Sequence, residues 1–156
     1  YKNIENIVID NLSKENLTLS TAESCTGGLV GHRLTQVSGS SAVYAGGIIS
    51  YSNKSKIDQL NVNPNNIKKF GAVSEQVAIE MAQNVKEKFN SSIGVSTTGI
   101  AGPGGGSEAK PVGLVYVGYC DEKLSFVQKF NFSSKREANK IRTSQAVLNI
   151  ILMNNY

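Results

Sequence analysis

Residues 21–28 read Thr-Ala-Glu-Ser-Cys-Thr-Gly-Gly and follow the alternating stretch Leu17-Thr18-Leu19-Ser20. A strand turning into a helix there would put the Ser24 hydroxyl, the Cys25 thiol and the backbone N–H groups after Ser24 at the mouth of a sheet. A nucleophile and an oxyanion site can coincide at such a junction. A second patch, Gly39-Ser40-Ser41 followed by Tyr51-Ser52-Asn53-Lys54-Ser55-Lys56, adds hydroxyls, a phenol and two amines. A third, Thr98-Gly99-Ile100-Ala101-Gly102-Pro103-Gly104-Gly105-Gly106-Ser107, is a glycine loop directly after an apolar strand.

An unassisted serine is almost entirely neutral at pH 7, so Ser24 as a nucleophile requires a base. His32 lies eight residues beyond it, about two helical turns away and out of reach. Lys56 serves if burial lowers its pKa. Each residue also has a plainer reading: Ser24 as a helix N-cap, Tyr51 as packing, Ser40 and Ser41 as turn residues, Lys54 and Lys56 as solvated charges. The glycine loop lacks both the Gly-Lys-Ser/Thr of a Walker motif and the Gly-x-Gly-x-x-Gly of a dinucleotide fingerprint, which argues against ATP or NAD as cofactor. With one histidine and no metal-ligand spacing, no metal is expected either. The loop's backbone can still approach a ligand closely and donate N–H groups to it.

The elements that must position these groups are legible from periodicity. Ile4, Ile7, Val8 and Leu12 predict an opening amphipathic helix, and Leu17–Ala22 a strand. Residues 25–37 are helix-like despite Gly27, Gly28 and Gly31, which cost about 1 kcal/mol each against alanine and imply close packing or ligand approach. A strand over 43–51 leads to a short helix capped by Asn53, then one over 64–70, then a longer one with Ser74 as N-cap. Residues 93–97 form a strand, and 112–119 with 124–131 a hairpin. The last helix opens at Ser134 with Glu137 as a capping box, and Ala138, Ile141, Gln145, Leu148 and Ile151 follow a helical period. This order predicts a three-layer α/β/α domain over residues 1–156 with a mixed, mostly parallel sheet. Its ligand would sit beyond the carboxyl ends of the strands.

The 156 residues, 40% hydrophobic, suffice for one core. No apolar run approaches the ~20 residues of a membrane helix, and the polar start does not resemble a signal peptide. Because the first residue is Tyr1, a leader is left open. Two cysteines, one in the candidate site, indicate a reducing compartment, so a cytoplasmic location is expected. The net charge of +4 is spread as lysines interleaved with acids, without an aromatic-studded basic stripe. Nucleic acid is therefore not the expected partner, whereas a small anionic substrate is.

Taken together, residues 21–28, Gly39-Ser40-Ser41, Tyr51-Ser52-Asn53 with Lys56, Gly71-Ala72-Val73-Ser74-Glu75, Gly99–Pro103 and Lys110-Pro111-Val112-Gly113 resemble the C-terminal domain of the CinA (competence-damage-inducible) family. That family includes stand-alone nicotinamide-nucleotide amidohydrolases, and the resemblance covers nearly the whole chain. Longer members carry a further molybdopterin-binding-like domain, for which 156 residues leave no room. The resemblance implies hydrolysis of nicotinamide mononucleotide (NMN) to nicotinate mononucleotide and ammonia by a Ser–Lys mechanism. Ser24, Ser41, Tyr51 and Lys56 fall on positions tied to catalysis, with either serine as nucleophile and Ser24 favoured by its strand-to-helix position. Cys25, Thr26, Gly27, Thr98, Gly99, Ile100, Ala101 and Gly102 fall on the substrate pocket. Arg136 and Arg142 match basic positions suited to the 5′-phosphate, while Lys140 stands where the family pattern has arginine. A homodimer or higher homo-oligomer is expected. The alternative from another class is a noncatalytic nucleotide-binding or competence-associated interaction module.

Overall fold

The computed structural model describes residues 2–155. Helix α1 (Ile4–Lys14) leads into β1 (Leu19–Glu23), and a turn carries the chain to α2 (Leu29–Thr35). A 3₁₀ turn at Ser40–Ala42 precedes β2 (Tyr44–Ile49). Then come α3 (Asn53–Leu60), α4 (Pro64–Phe70), α5 (Glu75–Phe89), β3 (Ile93–Gly99), the hairpin β4 (Leu114–Cys120) and β5 (Ser125–Asn131), and α6 (Arg136–Asn154).

The five strands form one sheet in the order β2-β1-β3-β4-β5. β1 pairs parallel with β2 and β3, and the hairpin adds two antiparallel pairings, so β4 alone runs against the other four. One sheet face carries α1, α2 and α6 over a core that includes Leu12, Leu19, Leu34, Val95 and Leu148. The other carries α5 with α3 and α4 over a smaller core of Ala22, Leu60, Val77, Met81 and Val85. This is the expected three-layer arrangement. The chain leaves β1 through α2 to reach β2 on one side, then crosses the opposite face through α3–α5 to reach β3 on the other. β1 is thus where the strand order reverses, and the crevice at its carboxyl end is where open α/β sheets bind ligands.

Three local expectations give way to other devices. The helix over 25–37 is shortened to α2, because Gly27 (φ +60°) and Gly28 (φ +103°) adopt left-handed turn conformations and Gly28 caps the helix. Ser24 is therefore not the helix cap. Gly31 is helical and lies where a Cβ would meet the Tyr44 hydroxyl at 2.8 Å, so close packing explains its lack of a side chain. Ser52, one residue before Asn53, caps α3 by accepting the Ser55 N–H. The Ser134–Glu137 capping box does not form: α6 starts after Lys135, which gives no side-chain cap. Asn139 instead accepts the Ser134 N–H at 3.1 Å and donates to the Ser134 carbonyl at 2.7 Å. On the helix that follows, Asn139, Thr143, Ala146, Val147 and Ile150 are buried beside Leu148 and Ile151, and Ile141 is exposed. The Ser74 cap forms as expected, its side chain accepting the Val77 N–H.

Candidate active site

Ser24 follows the last residue of β1, where its N–H donates to the Thr97 carbonyl at 3.0 Å and so ties the turn to β3. Lys56 stands in α3, which begins soon after β2 ends. The parallel pairing of β1 and β2 brings α3 alongside Ser24, and only 1% of Lys56 is exposed. Its Nζ lies 3.0 Å from Ser24 Oγ, 2.9 Å from the Ser50 carbonyl oxygen and 3.2 Å from that of Tyr51. No carboxylate pairs with it among the described residues.

Burial holds the Lys56 pKa below its ordinary value. A neutral amine has two hydrogens and one lone pair. With the two carbonyls accepting both hydrogens, the lone pair faces Ser24 Oγ, which is the arrangement a base needs to take the serine proton. Cys25, next in sequence, is the poorer nucleophile. Burial pushes its thiol up to about 12, and a thiol without its thiolate is inert.

After Ser24, the N–H groups of Cys25 and Thr26 make no hydrogen bond to another residue among the described residues, whereas Gly27 donates to the Ser24 carbonyl at 3.0 Å. Two free donors directly after a nucleophile can serve a developing oxyanion. The space before Ser24 is a cleft of about 250 Å³ whose lining includes Tyr51, Lys56, Ala72, Thr98, Gly99 and Ala101. At its rim Arg136 donates to the Tyr51 hydroxyl and to the Gly102 carbonyl, both at 2.7 Å. Arg136 also lines an open hollow of about 470 Å³ together with Leu29, Lys140 and Ile141.

A family model described as the CinA C-terminal domain matches residues 1–154. The chain belongs to this family. A CinA-like protein of Cytophaga hutchinsonii is 49% identical over 140 residues, which are 90% of this chain and 34% of that protein. The chain thus spans about a third of the length of the curated relatives it matches. Among solved structures, the competence/damage inducible protein CihA from Agrobacterium tumefaciens aligns with a TM-score of 0.94 at 36% identity, covering 96% of this chain and 92% of that one. A CinA superfamily protein from Escherichia coli aligns at 0.91 and 27% identity, covering 97% and 90%.

Within this CinA domain the residues singled out by sequence take different places. Ser24, Lys56, Cys25, Thr98, Gly99 and Ala101 meet at the cleft. Tyr51 lines it too, but its phenol points to Arg136 and the residue is 60% exposed, so its backbone carbonyl, not its hydroxyl, holds Lys56. Thr26 turns its hydroxyl inward to Glu23 at 2.7 Å and is buried, leaving its N–H as the group with a possible use. Gly27 lies on the exposed side of the turn, 3.7 Å from Lys140 Nζ measured from the position its Cβ would occupy. Gly102 contributes its carbonyl to Arg136, while Ile100 is bonded through its backbone to Leu114 and Gly113 and is not among the cleft residues.

Two residues lie elsewhere. Ser41 precedes β2 and is exposed, so within one chain it sits at the opposite edge of the sheet, a strand length or about 16 Å from Ser24. Arg142, six positions after Arg136, is about 600° further around α6; it faces β5 and donates to the Phe132 carbonyl at 3.4 Å. Sequence reasoning gave no role to Glu23, Thr97, the Ser50 carbonyl or Asn139, which fastens the loop by donating to the Ala101 carbonyl at 2.9 Å. The available signal was a carboxylate at the end of an otherwise fully buried strand, which has to be bonded by something.

Proposed function

We propose that this CinA domain hydrolyses the carboxamide of NMN, giving nicotinate mononucleotide and ammonia. The observation that carries the reading is the buried Lys56 amine, 3.0 Å from Ser24 Oγ and without a carboxylate partner among the described residues. Neutral Lys56 takes the Ser24 proton as Oγ attacks the carboxamide carbon, and the Cys25 and Thr26 N–H groups receive the oxyanion. The Lys56 ammonium then protonates the departing nitrogen, which leaves as ammonia. Water, activated by the amine, hydrolyses the remaining ester and restores Ser24. A planar amide enters past Tyr51, with Arg136 and Lys140 available to an anionic tail on the outer side.

The test compares ammonia release from NMN, free nicotinamide and NAD. Release from NMN well above that from the other two is the expected result. Binding of NMN without release would favour a noncatalytic module, and equal rates on NMN and free nicotinamide would make the site that of a general small-amide hydrolase.

A further inference from the structure

Glu23 is 3% exposed, and no cation lies within ion-pair distance of it among the described residues. Its carboxylate is held by neutral donors alone. Oε1 accepts the Thr26 hydroxyl at 2.7 Å and the Val30 N–H at 2.9 Å, and Oε2 accepts the Gly31 N–H at 3.1 Å. Since the Thr26 proton goes to Glu23, the 2.8 Å bond between the Thr26 and Thr97 hydroxyls is donated by Thr97. Thr97 Oγ1 in turn lies 3.3 Å from the Ser24 N–H, which also reaches the Thr97 carbonyl. A chain of bonds therefore runs from the carboxylate through Thr26 and Thr97 back to the backbone of Ser24.

We infer that Glu23 is the positioning residue of the nucleophile turn, a role that rests on Ser24 being the nucleophile. The carboxylate binds the middle of segment 24–28 through Thr26 and the residues just beyond it through Val30 and Gly31. That contact sets the direction of Ser24 Oγ toward Lys56 and leaves the Cys25 and Thr26 N–H groups unspent. Three donors converge on two oxygens that only an anion leaves free of hydrogen; glutamine would turn an NH₂ group against one of them. Because the turn matters most when the tetrahedral oxyanion forms, loss of the carboxylate acts on kcat and not on KM.

The experiment follows Ser24 with an alkyl fluorophosphonate, which needs no knowledge of the substrate. Ser24 Oγ forms the P–O bond, fluoride leaves and Lys56 takes the serine proton. Labelling rates, NMN kinetics and thermal melting are measured for the wild type, Glu23→Gln, Thr26→Val and Thr26→Ser. Glu23→Gln and Thr26→Val should each label about tenfold more slowly or worse, with kcat reduced alike and KM within about twofold. Thr26→Ser, which restores the hydroxyl, should recover most of the rate lost in Thr26→Val. A melting temperature that falls while labelling and kcat stay within about twofold would make Glu23 a helix cap only and overturn the role. Should Glu23→Gln not fold, Thr26→Val decides. Wild-type protein that labels but leaves NMN intact would refute the substrate and not Glu23, whose role the labelling rates alone then decide; wild-type protein that takes no label at Ser24 overturns both.

Discussion

Burial makes Lys56 release its proton at lower pH in the folded protein than in the unfolded chain. Between the two pKa values the unfolded chain binds more protons, so stability rises with pH across that window, and below the folded value the full penalty is present. Lys56→Met should accordingly stabilise the fold more at pH 6 than at pH 10, as read by thermal melts; a pH-independent difference would contradict the buried amine. Turnover has the same origin, so kcat should rise with pH and level off before an ordinary lysine titrates. Arg136 offers a second test at this scale. Arg136→Ala should weaken use of NMN by about 2 kcal/mol and leave the unphosphorylated riboside almost unchanged, measured as kcat/KM. Equal losses on both substrates would make Arg136 only the strap between Tyr51 and Gly102. The sequence motifs singled out Ser24, Lys56 and Arg136, which the fold brings to the cleft and its rim. They placed Arg142 with Arg136, and the rotation of α6 parts the two; they favoured Ser24 over Ser41, and the two stand at opposite ends of the sheet because each meets a different strand end.

At the scale of elements, helix packing rests on a contact that periodicity does not reveal. Arg33 of α2 pairs with Glu5 of α1 at 2.6 Å and donates to Ser144 and Gln145 of α6, both at 2.9 Å. Burial opposes ionisation of Glu5, yet its backbone hydrogen bond and Arg33 outweigh this and hold its carboxyl below the usual range. Removing one partner strands a largely buried charge. Arg33→Met should cost about 3 kcal/mol, lowering the melting temperature by roughly 6–12 °C, and adding Glu5→Gln should return part of the loss. A double variant no better than the single one would show that the packing of Arg33, not its charge, matters. Strand and helix order was readable because apolar spacing reports which face is buried. Helix ends were less so. Ser134 and Glu137 have the residue types of a capping box, but Asn139 offers a donor and an acceptor to Ser134 from within α6 and wins the competition. In the segment 25–37, glycines at 27 and 28 permitted the left-handed turn that delays α2, and the Val30 and Gly31 N–H bonds to Glu23 fasten the helix start beyond it.

For the molecule as a whole, the site exists because the chain reverses its strand order around β1. Ser24 and the Ser50–Lys56 segment follow β1 and β2, Thr98–Gly102 spans the end of β3 and the start of the loop after it, and parallel pairing brings these three carboxyl ends to one edge. Alternation of helices and strands was enough to foresee that edge, and Lys56 was named as the base for Ser24 on condition of its burial; that burial and the 3.0 Å separation required coordinates. Among the described residues no group of three or more His, Cys, Asp or Glu side chains converges to hold an ion. Activity should therefore survive exhaustive chelation, and loss reversed by one divalent ion would place the chemistry elsewhere. The most direct measurement of the Ser24–Lys56 account is steady-state ammonia release from NMN by the wild type, Ser24→Ala and Lys56→Ala, each checked for a cooperative melt. The account predicts release by the wild type and a loss of about 10³-fold or more in either variant. Near-normal release by folded Ser24→Ala protein would contradict it.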